Sequence, residues 1–406
     1  MKTLKVVPFV ILLGSLLLSA CSGLNVAAAA PVSSSSSNTS APAPIQISAP
    51  VTNAAPVIAD VQALQSAYEA VYEKVNPSVV LIQISQTVSN STGRSRGQTN
   101  PNSTNPRSVP TALGSGFVWD VSGRIVTNNH VVEGASKITV TFADGTNAEA
   151  TLVGADANSD LAVIQVKVDP ALLKPVELAD SSKAKVGQLV VAIGNPFGLA
   201  NTMTTGIISA VARSITANTN SSGANYSIPD VIQTDAAINP GNSGGVLVDM
   251  DGHLLGVPSQ IESASGSNSG VGFAIPSSIV KQVVPQLIGK GAFARPWLGI
   301  TGTTLSPDLA TQLNLKSTQT GILVIDVSAE GPAAKAGFVK AATAEDGSPT
   351  AGDVITAVDG KSLTRFDDLV SYLLNQTAPG QTVTFTVLRD GKEQTIKVVL
   401  GTQPSA

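Results

Sequence analysis

The chain has 406 residues, and 24 Lys and Arg against 28 Asp and Glu give a net charge of −4, which excludes a basic nucleic-acid binder. Charged residues make up only 13%, too few for a long charged coiled coil. At roughly 150 residues per domain the length predicts two or three domains, and 43% hydrophobic residues with 36 Gly predict a cored, turn-rich β protein. One Cys excludes an intrachain disulfide and a zinc–thiolate cluster. No metal or organic cofactor is implied, and only two His are available as bases.

Lys2 and Lys5 precede an almost unbroken apolar stretch over 6–18. It is shorter than the roughly 20 residues of a membrane-spanning helix and suits the apolar core of a secretory signal. Leu18-Ser19-Ala20-Cys21 resembles the bacterial lipobox, in which the Cys is acylated and becomes the first mature residue. An ordinary signal peptide with an incidental Cys is the plainer alternative. We expect a lipoprotein signal over 1–20 and lipidation at Cys21; removing 1–20 deletes two lysines and no acid, taking the net charge from −4 to −6. Ser, Ala, Pro, Asn and Thr dominate 21–57, with an unbroken serine run over 33–37. Such a composition cannot bury enough apolar surface to offset its ordering entropy, so a disordered tether is expected. About 35 flexible residues reach roughly 30–35 Å, enough to hold a globular head just off a membrane.

Ala67, Ala70, Val71 and Val75 line one side of a helix predicted over 63–75, which Asn76-Pro77 stops. Strand signals follow at 78–84, 116–120, 124–127, 137–142, 148–153, 161–166, 188–193, 204–212, 231–234, 245–249, 254–257 and 271–275. Turn residues separate them at intervals typical of a β-barrel or sandwich. The polar stretch 86–111 reads as a long mobile loop, and 277–289 as a closing helix. Past about 290 a separate α+β module begins. It has a helix over 366–375, with Leu369, Tyr372 and Leu373 on one face, and a hairpin of 382–388 and 393–400 around Asp390-Gly391.

The string Asp235-Ala236-Ala237-Ile238-Asn239-Pro240-Gly241-Asn242-Ser243-Gly244-Gly245 sets a small nucleophile between glycines. A sharply bent backbone there would aim the N–H groups of Gly241 and Ser243 at a developing oxyanion. A plain polar turn is the competing reading, and Gly-x-Ser-x-Gly also fits an α/β-hydrolase elbow. The base decides between them. His253 follows Ser243 by ten residues, inside a predicted hairpin after Asp251-Gly252, and reads as an exposed turn residue. His130 stands at a strand end, and Asp160 follows Asn158-Ser159 before an apolar run. Singly, His130 is as readily a core or capping residue, and Asp160 a cap or strand start. Together the order His, Asp, Ser matches the chymotrypsin order and not the hydrolase one.

Thr127-Asn128-Asn129-His130-Val131-Val132, Ser159-Asp160-Leu161-Ala162-Val163 and the string from Thr234 through Ser243 to Gly245 together resemble the HtrA (Deg) family of bacterial serine proteases. Gly114-Ser115-Gly116-Phe117 and Gly272-Phe273-Ala274-Ile275-Pro276 resemble its flanking strands. The resemblance covers about 62–401. It implies an all-β, chymotrypsin-like double β-barrel protease domain over 58–290 and a smaller α+β PDZ domain over 291–403. It also implies Ser243 as nucleophile, His130 as general base and then acid, and Asp160 as the carboxylate that orients the imidazole.

Asn242 stands where many chymotrypsin-like zymogens place an Asp that pairs with a new N-terminus. The expectation is a switch by loop rearrangement around the oxyanion hole. Ala237, six before Ser243, replaces the acid of trypsin-like pockets, and with Ile238 it predicts small or medium aliphatic side chains. Trp297-Leu298-Gly299-Ile300 resembles the carboxylate-binding loop of a PDZ domain, whose next strand adds a peptide C-terminus as an extra strand. A polar insertion over 340–350 stands where such domains usually run tight from Ala-Gly to Gly-Asp; it could alter access to that groove, and the sequence does not give its role.

The resulting expectation is a lipid-anchored, extracytoplasmic, homotrimeric serine endopeptidase acting on unfolded or damaged envelope proteins, with peptide C-termini as PDZ ligands and no nucleic acid. The rivals are a dedicated regulatory protease that cleaves one envelope signalling protein, and a catalytically silent chaperone scaffold.

Overall fold

A computed structural model describes residues 54–88, 107–196, 201–217, 226–261, 269–344 and 347–404. The signal, Cys21 and the tether up to residue 53 lie outside the described residues. Helix α1 (Ala54–Val75) starts nine residues earlier than predicted, so the last four residues assigned to the tether are helical. Ala54, Ala55 and Ala59 are strong helix formers, and Pro56 in the first turn sacrifices no helical hydrogen bond. Of the predicted face, Val71 and Val75 are buried and Ala67 is partly buried, but Ala70 is exposed.

Two six-stranded antiparallel barrels follow. The first is built from β1 (Val79–Val88), β2 (Arg107–Val118), β3 (Arg124–Thr127), β4 (Lys137–Thr141), β5 (Asn147–Asp156) and β6 (Leu161–Val166), with the one-turn helix α2 (Asn129–Val132) after β3. It closes in the order β1-β2-β3-β6-β5-β4. The second uses β7 (Leu189–Gly194), β8 (Thr202–Ala217), β9 (Tyr226–Thr234), β10 (Val246–Val248), β11 (Leu254–Ile261) and β12 (Gly272–Pro276). It closes in the order β10-β11-β12-β9-β8-β7. Helix α3 (Ser277–Lys290) then packs back on the first barrel.

Strand alternation explains the apolar runs. Ile125, Ala162, Ile164 and Val166 fill the first barrel. Val126, Leu161 and Val163 point the other way, into a core shared with Val191, Ile193, Val246, Val257 and Ile275 of the second barrel and with Ile279, Val283 and Leu287 of α3. Both faces of these strands are largely buried and therefore mostly apolar; the buried Thr127 at the end of β3 donates to the Ser115 carbonyl at 2.6 Å. The contact with α3 is tight at Gly154, where a Cβ would stand 2.6 Å from the Gly291 carbonyl oxygen.

The 86–111 stretch is not a loop at its ends. After a bulge between Ile84 and Ser85, β1 and β2 stay paired from Gln86↔Val109 to Val88↔Arg107, and 89–106 lie outside the described residues. Backbone groups make the ladder whatever the side chain, so pairing continues past the apolar pattern. The same reason lengthens β8 beyond the predicted 204–212.

The C-terminal module comprises β13 (Pro296–Trp297), β14 (Ile300–Thr304), α4 (Pro307–Gln312), β15 (Ile322–Val327), α5 (Pro332–Ala336), β16 (Ala342–Thr343), β17 (Pro349–Ala351), β18 (Val354–Val358), β19 (Lys361–Ser362), α6 (Phe366–Gln376), β20 (Thr382–Arg389), β21 (Lys392–Val399) and β22 (Gly401–Thr402). Its main sheet runs β14-β15-β18-β20-β21, which leaves β14 at an edge. Leu298, Ile322, Phe338, Phe385 and Val398 form its core. The Asp390-Gly391 turn forms as predicted, with φ of 51° and 72° in the primed-turn region that suits a hairpin.

Candidate active site

β3 ends at Thr127, and Asn128 leads into α2, which carries His130. Asp160 ends the turn between β5 and β6 with φ 51° and is 8% exposed. Its carbonyl accepts from the Asn129 N–H at 3.2 Å and Asn128 Nδ2 at 2.8 Å, which lashes this turn to α2. The Asp160 carboxylate therefore faces the imidazole. The His130 N–H donates to Oδ1 at 3.1 Å, and Nδ1 lies 2.9 and 2.8 Å from Oδ1 and Oδ2. An ionised carboxylate only accepts, so Nδ1 holds the proton and Nε2 is left as a free base.

Ser259 of β11 closes the other side. Its Oγ donates to Asp160 Oδ2 at 2.5 Å, and its carbonyl accepts the Ser243 hydroxyl at 3.1 Å. Among the hydrogen bonds of the described residues, none joins Ser243 Oγ to His130. Sequence reasoning missed Ser259; its one signal was a lone hydroxyl in the buried run from Leu254 to Ser259.

Three of the five backbone N–H groups from Gly241 to Gly245 are paired. The N–H groups of Asn242, Gly244 and Gly245 donate to Asn239, Pro258 and Asn242. Among the described residues, those of Gly241 and Ser243 have no intramolecular acceptor. Gly241 has φ 101° and Gly244 φ 83°, conformations that favour glycine. Asn242 is 3% exposed; its Nδ2 donates to the Ala237 carbonyl at 3.2 Å and its Oδ1 has no partner. Ala237 is partly exposed, whereas Ile238 is buried in the core of the second barrel. Of that pair, Ala237 has the surface to offer a substrate.

Burial of His130 opposes its charge, but the hydrogen bond and charge of Asp160, with Glu133 adding, outweigh it and hold the pKa above the ordinary 6.5. Protonation removes the base, so kcat/KM is expected to fall about tenfold per pH unit below a midpoint above 6.5 in a pH–rate profile. The stabilisation linked to this shift is complete below the unfolded value of about 6.5 and is lost as pH rises through the folded value.

His253 is not a free turn residue. Its Nε2 lies 2.9 Å from Glu177 Oε2, and its Nδ1 lies 3.8 Å from Asp249 Oδ2. Asp249, Asp251 and His253 bring ligand-type atoms within 4.8 Å of one another, but Asp249 Oδ1 already accepts the N–H groups of Asp251 and His253.

A second candidate site is a groove of about 610 Å³ between β14 and α6, lined by Leu298, Ile300, Leu369, Val370 and Leu373 among others. Gly299 turns with φ 81° and Ile300 opens β14. Trp297 pairs with Gly401 and lays its ring beside Gly299, so it also backs the loop. For the 340–350 insertion, no described residue of the β16–β17 hairpin lines this groove, and β17 lies against α4. Arg295, at the groove, pairs with Asp156 at 2.8 Å. Asp156 Oδ2 also accepts from the Ser159 N–H and Oγ, so the groove is tied to the turn that carries Asp160.

Residues 114–257 match the trypsin-like peptidase domain, and 296–400 match the PDZ domain. The solved structure of the HtrA-type protease AlgW with decapeptide is 35% identical, with a TM-score of 0.67 over 84% of this chain and 99% of that one. The chain belongs to the HtrA-type serine protease family. This HtrA-type chain is 38% identical over 346 residues to the periplasmic pH-dependent serine endoprotease DegQ of Escherichia coli (strain K12), covering 82% of this chain and 70% of that protein. It is 45% identical over 297 residues to the chloroplastic Protease Do-like 1 of Arabidopsis thaliana, covering 73% of this chain. It spans 65% of that relative's length, and 54% of a probable periplasmic serine endoprotease DegP-like protein of Brucella suis biovar 1 (strain 1330).

Proposed function

We propose that the protein is an extracytoplasmic serine endopeptidase that cleaves unfolded or damaged envelope proteins under control of its PDZ groove. The observation that carries this reading is the run of contacts from His130 to Asp160 and, through Ser259, on to Ser243, beside two backbone N–H groups that have no acceptor among the described residues. Ser243 Oγ rotates off the Ser259 carbonyl towards His130 Nε2 and attacks the scissile carbonyl as its proton passes to Nε2. Asp160 stabilises the imidazolium, and the Gly241 and Ser243 N–H groups receive the oxyanion. Nε2–H then protonates the leaving amine, and a water repeats the sequence on the acyl-enzyme. Ala237 at the pocket selects small or medium aliphatic side chains before the cut.

Resting Ser243 away from His130 fits a protease awaiting a signal, and Asn242 leaves loop rearrangement as the switch. The β14 edge accepts a peptide C-terminus by strand addition. Cys21 anchors the chain by lipid, outside the cytoplasm, and three copies assemble; no helix of the described residues is long and apolar enough to cross a membrane.

The test uses the full-length protein and Ser243→Ala on unfolded casein, with hydrophobic C-terminal peptides present and absent, and fragment masses to locate the cuts. The wild type is expected to cut after Val, Ala, Ile or Leu, and the variant not at all. No cutting by either protein would move the reading to a chaperone scaffold. Refusal of casein with cleavage of a single envelope protein would make it a dedicated regulatory protease.

A further inference from the structure

Ser115 lies in β2 where the two barrels meet, fully buried, in a Gly-Ser-Gly string that reads from sequence only as a strand marker. We propose that Ser115 is a positioning residue that sets the oxyanion hole, an inference that rests on Gly241 and Ser243 being its donors. The Ser115 Oγ donates to the Gly241 carbonyl at 2.6 Å, and the Ser115 N–H donates to the Ser243 carbonyl at 2.8 Å. One residue thus grips the carbonyl of each of the two residues whose N–H groups are free.

The direction of the hydroxyl is forced. Ser115 Oγ accepts the Asn195 N–H at 2.8 Å and Asn195 Nδ2 at 3.3 Å, both of which can only donate. The Asn195 amide is itself oriented, because its Oδ1 accepts the Asn201 N–H at 2.9 Å. The single Ser115 proton therefore goes to Gly241. That bond matters because Gly241, lacking a Cβ, resists rotation weakly. Its 241–242 peptide plane is held on one edge by Ser115 and on the other by the Asn242 N–H on Asn239, at 2.9 Å. With that plane fixed, only the φ and ψ of Gly241 itself can move its N–H. Without Ser115 Oγ, both planes flanking Gly241 can turn and swing the N–H away from the oxyanion.

The packing shows how closely the strap is built. A Cβ on Gly194 would lie 3.1 Å from Ser115 Oγ, and one on Gly244 would lie 2.2 Å from the Ser115 carbonyl oxygen. The flanking glycines serve the same approach: a Cβ on Gly114 would stand 2.5 Å from Val131, and one on Gly116 2.8 Å from Ile125.

The test is Ser115→Ala in the full-length chain, which removes the hydroxyl and keeps the N–H on Ser243. Active sites are counted with a fluorophosphonate, so kcat is read per reactive Ser243. Losing an oxyanion donor lowers kcat by roughly 100- to 1000-fold; a loosened one is expected to lower it by roughly 10- to 100-fold, with KM within about threefold. Affinity for a peptide aldehyde, whose adduct places an oxygen in the hole, falls by the same factor as kcat/KM. Affinity for the matching product peptide does not. A residue with a purely structural role would lower the unfolding temperature and the count of active sites but leave kcat per site and the aldehyde ratio unchanged, which would overturn the proposal.

Should the alanine variant fail to fold, Ser115→Cys, a weaker and longer donor, is read the same way. Intermediate kcat with a parallel loss of aldehyde affinity supports the proposal, and wild-type values sink it. If the wild type itself cleaves nothing, the protease reading has failed; if the wild type cleaves and the Ser115 variants match it, only the present inference has.

Discussion

Replacing Asp160 with Asn is expected to lower kcat about 10⁴-fold at neutral pH while leaving the fold and KM nearly unchanged. Three donors converge on this carboxylate: the His130 N–H on Oδ1, the Ser259 hydroxyl on Oδ2, and His130 Nδ1 on both oxygens. An amide has one oxygen and one NH₂, so it cannot accept from all of them. Turned with its NH₂ towards Nδ1, it donates there and drives the imidazole proton to Nε2, where it blocks uptake of the Ser243 proton. Turned the other way, it keeps the tautomer but confronts another donor with its NH₂, the His130 backbone N–H at the Oδ1 position or the Ser259 hydroxyl at Oδ2. The variant also loses the charge that holds the His130 pKa up, so its residual acid limb is expected to move to lower pH. A loss of less than about tenfold in steady-state kcat would show that Asp160 does not orient the base.

The second large effect is on stability. Asp353 is fully buried and clamps Arg389 with two 2.7 Å bonds, Nε to Oδ1 and Nη2 to Oδ2. Asp353 Oδ2 also accepts the Val339 N–H, and Arg389 Nη2 reaches the Gly337 carbonyl, so the clamp binds β20 to the segment after α5. The hydrogen bond to Asp353 holds the Arg389 pKa above its usual value despite partial burial, with the charges of Asp353 and Asp390 adding to it. Removing one partner of a buried pair costs about 3–5 kcal/mol because the other charge is stranded. The Arg389 side chain is 26% exposed, so Asp353→Ala is expected at the low end, about 3 kcal/mol. For a domain of this size that lowers the melting midpoint by roughly 12–24 °C. The core of the PDZ domain is a cluster distinct from those of the barrels, with Leu374 of α6 its one buried residue in the shared barrel core, so basal casein cleavage should persist at 25 °C while the response to C-terminal peptides disappears. Calorimetry showing a shift under about 4 °C would refute the clamp.

The candidate site was unevenly legible in the sequence. His130 and Asp160, paired in the structure, were each marked by local punctuation at a strand end or turn, such as Asn128 and Asn158, while Ser243 is linked to them through Ser259. The barrels were legible for a similar reason: strands buried on both faces tolerate few polar residues. Element ends were not. Polar residues extend β1, β2 and β8 through backbone pairing, and α1 begins in the alanine-rich end of the tether.

Ser259, Ser115 and the Arg295–Asp156 pair escaped notice because each acts across 80 or more residues of chain: 99 between Ser259 and Asp160, 80 between Asn195 and Ser115, 139 between Arg295 and Asp156. An isolated serine in a strand carries no sign of the carbonyl it will meet. His253 read only as an exposed turn residue; it is partly buried and pairs with Glu177, which nothing near it in sequence announces. Ile238 was assigned to a binding pocket by its place in the chain, and packing put it in a core.

By itself the sequence determined which chemical groups exist and in what order: one nucleophile among glycines, one base at a strand end, one acid before a buried strand, and an edge strand after Leu298-Gly299. Residue identity and apolar periodicity are local quantities, and those are enough for that much. Only the tertiary structure decided where the proton of Ser243 rests, which backbone N–H groups stay unpaired, and which hydroxyl holds them in place. Those outcomes depend on the orientation of peptide planes and on contacts between distant strands, and an N–H group has the same chemistry at every residue that carries one.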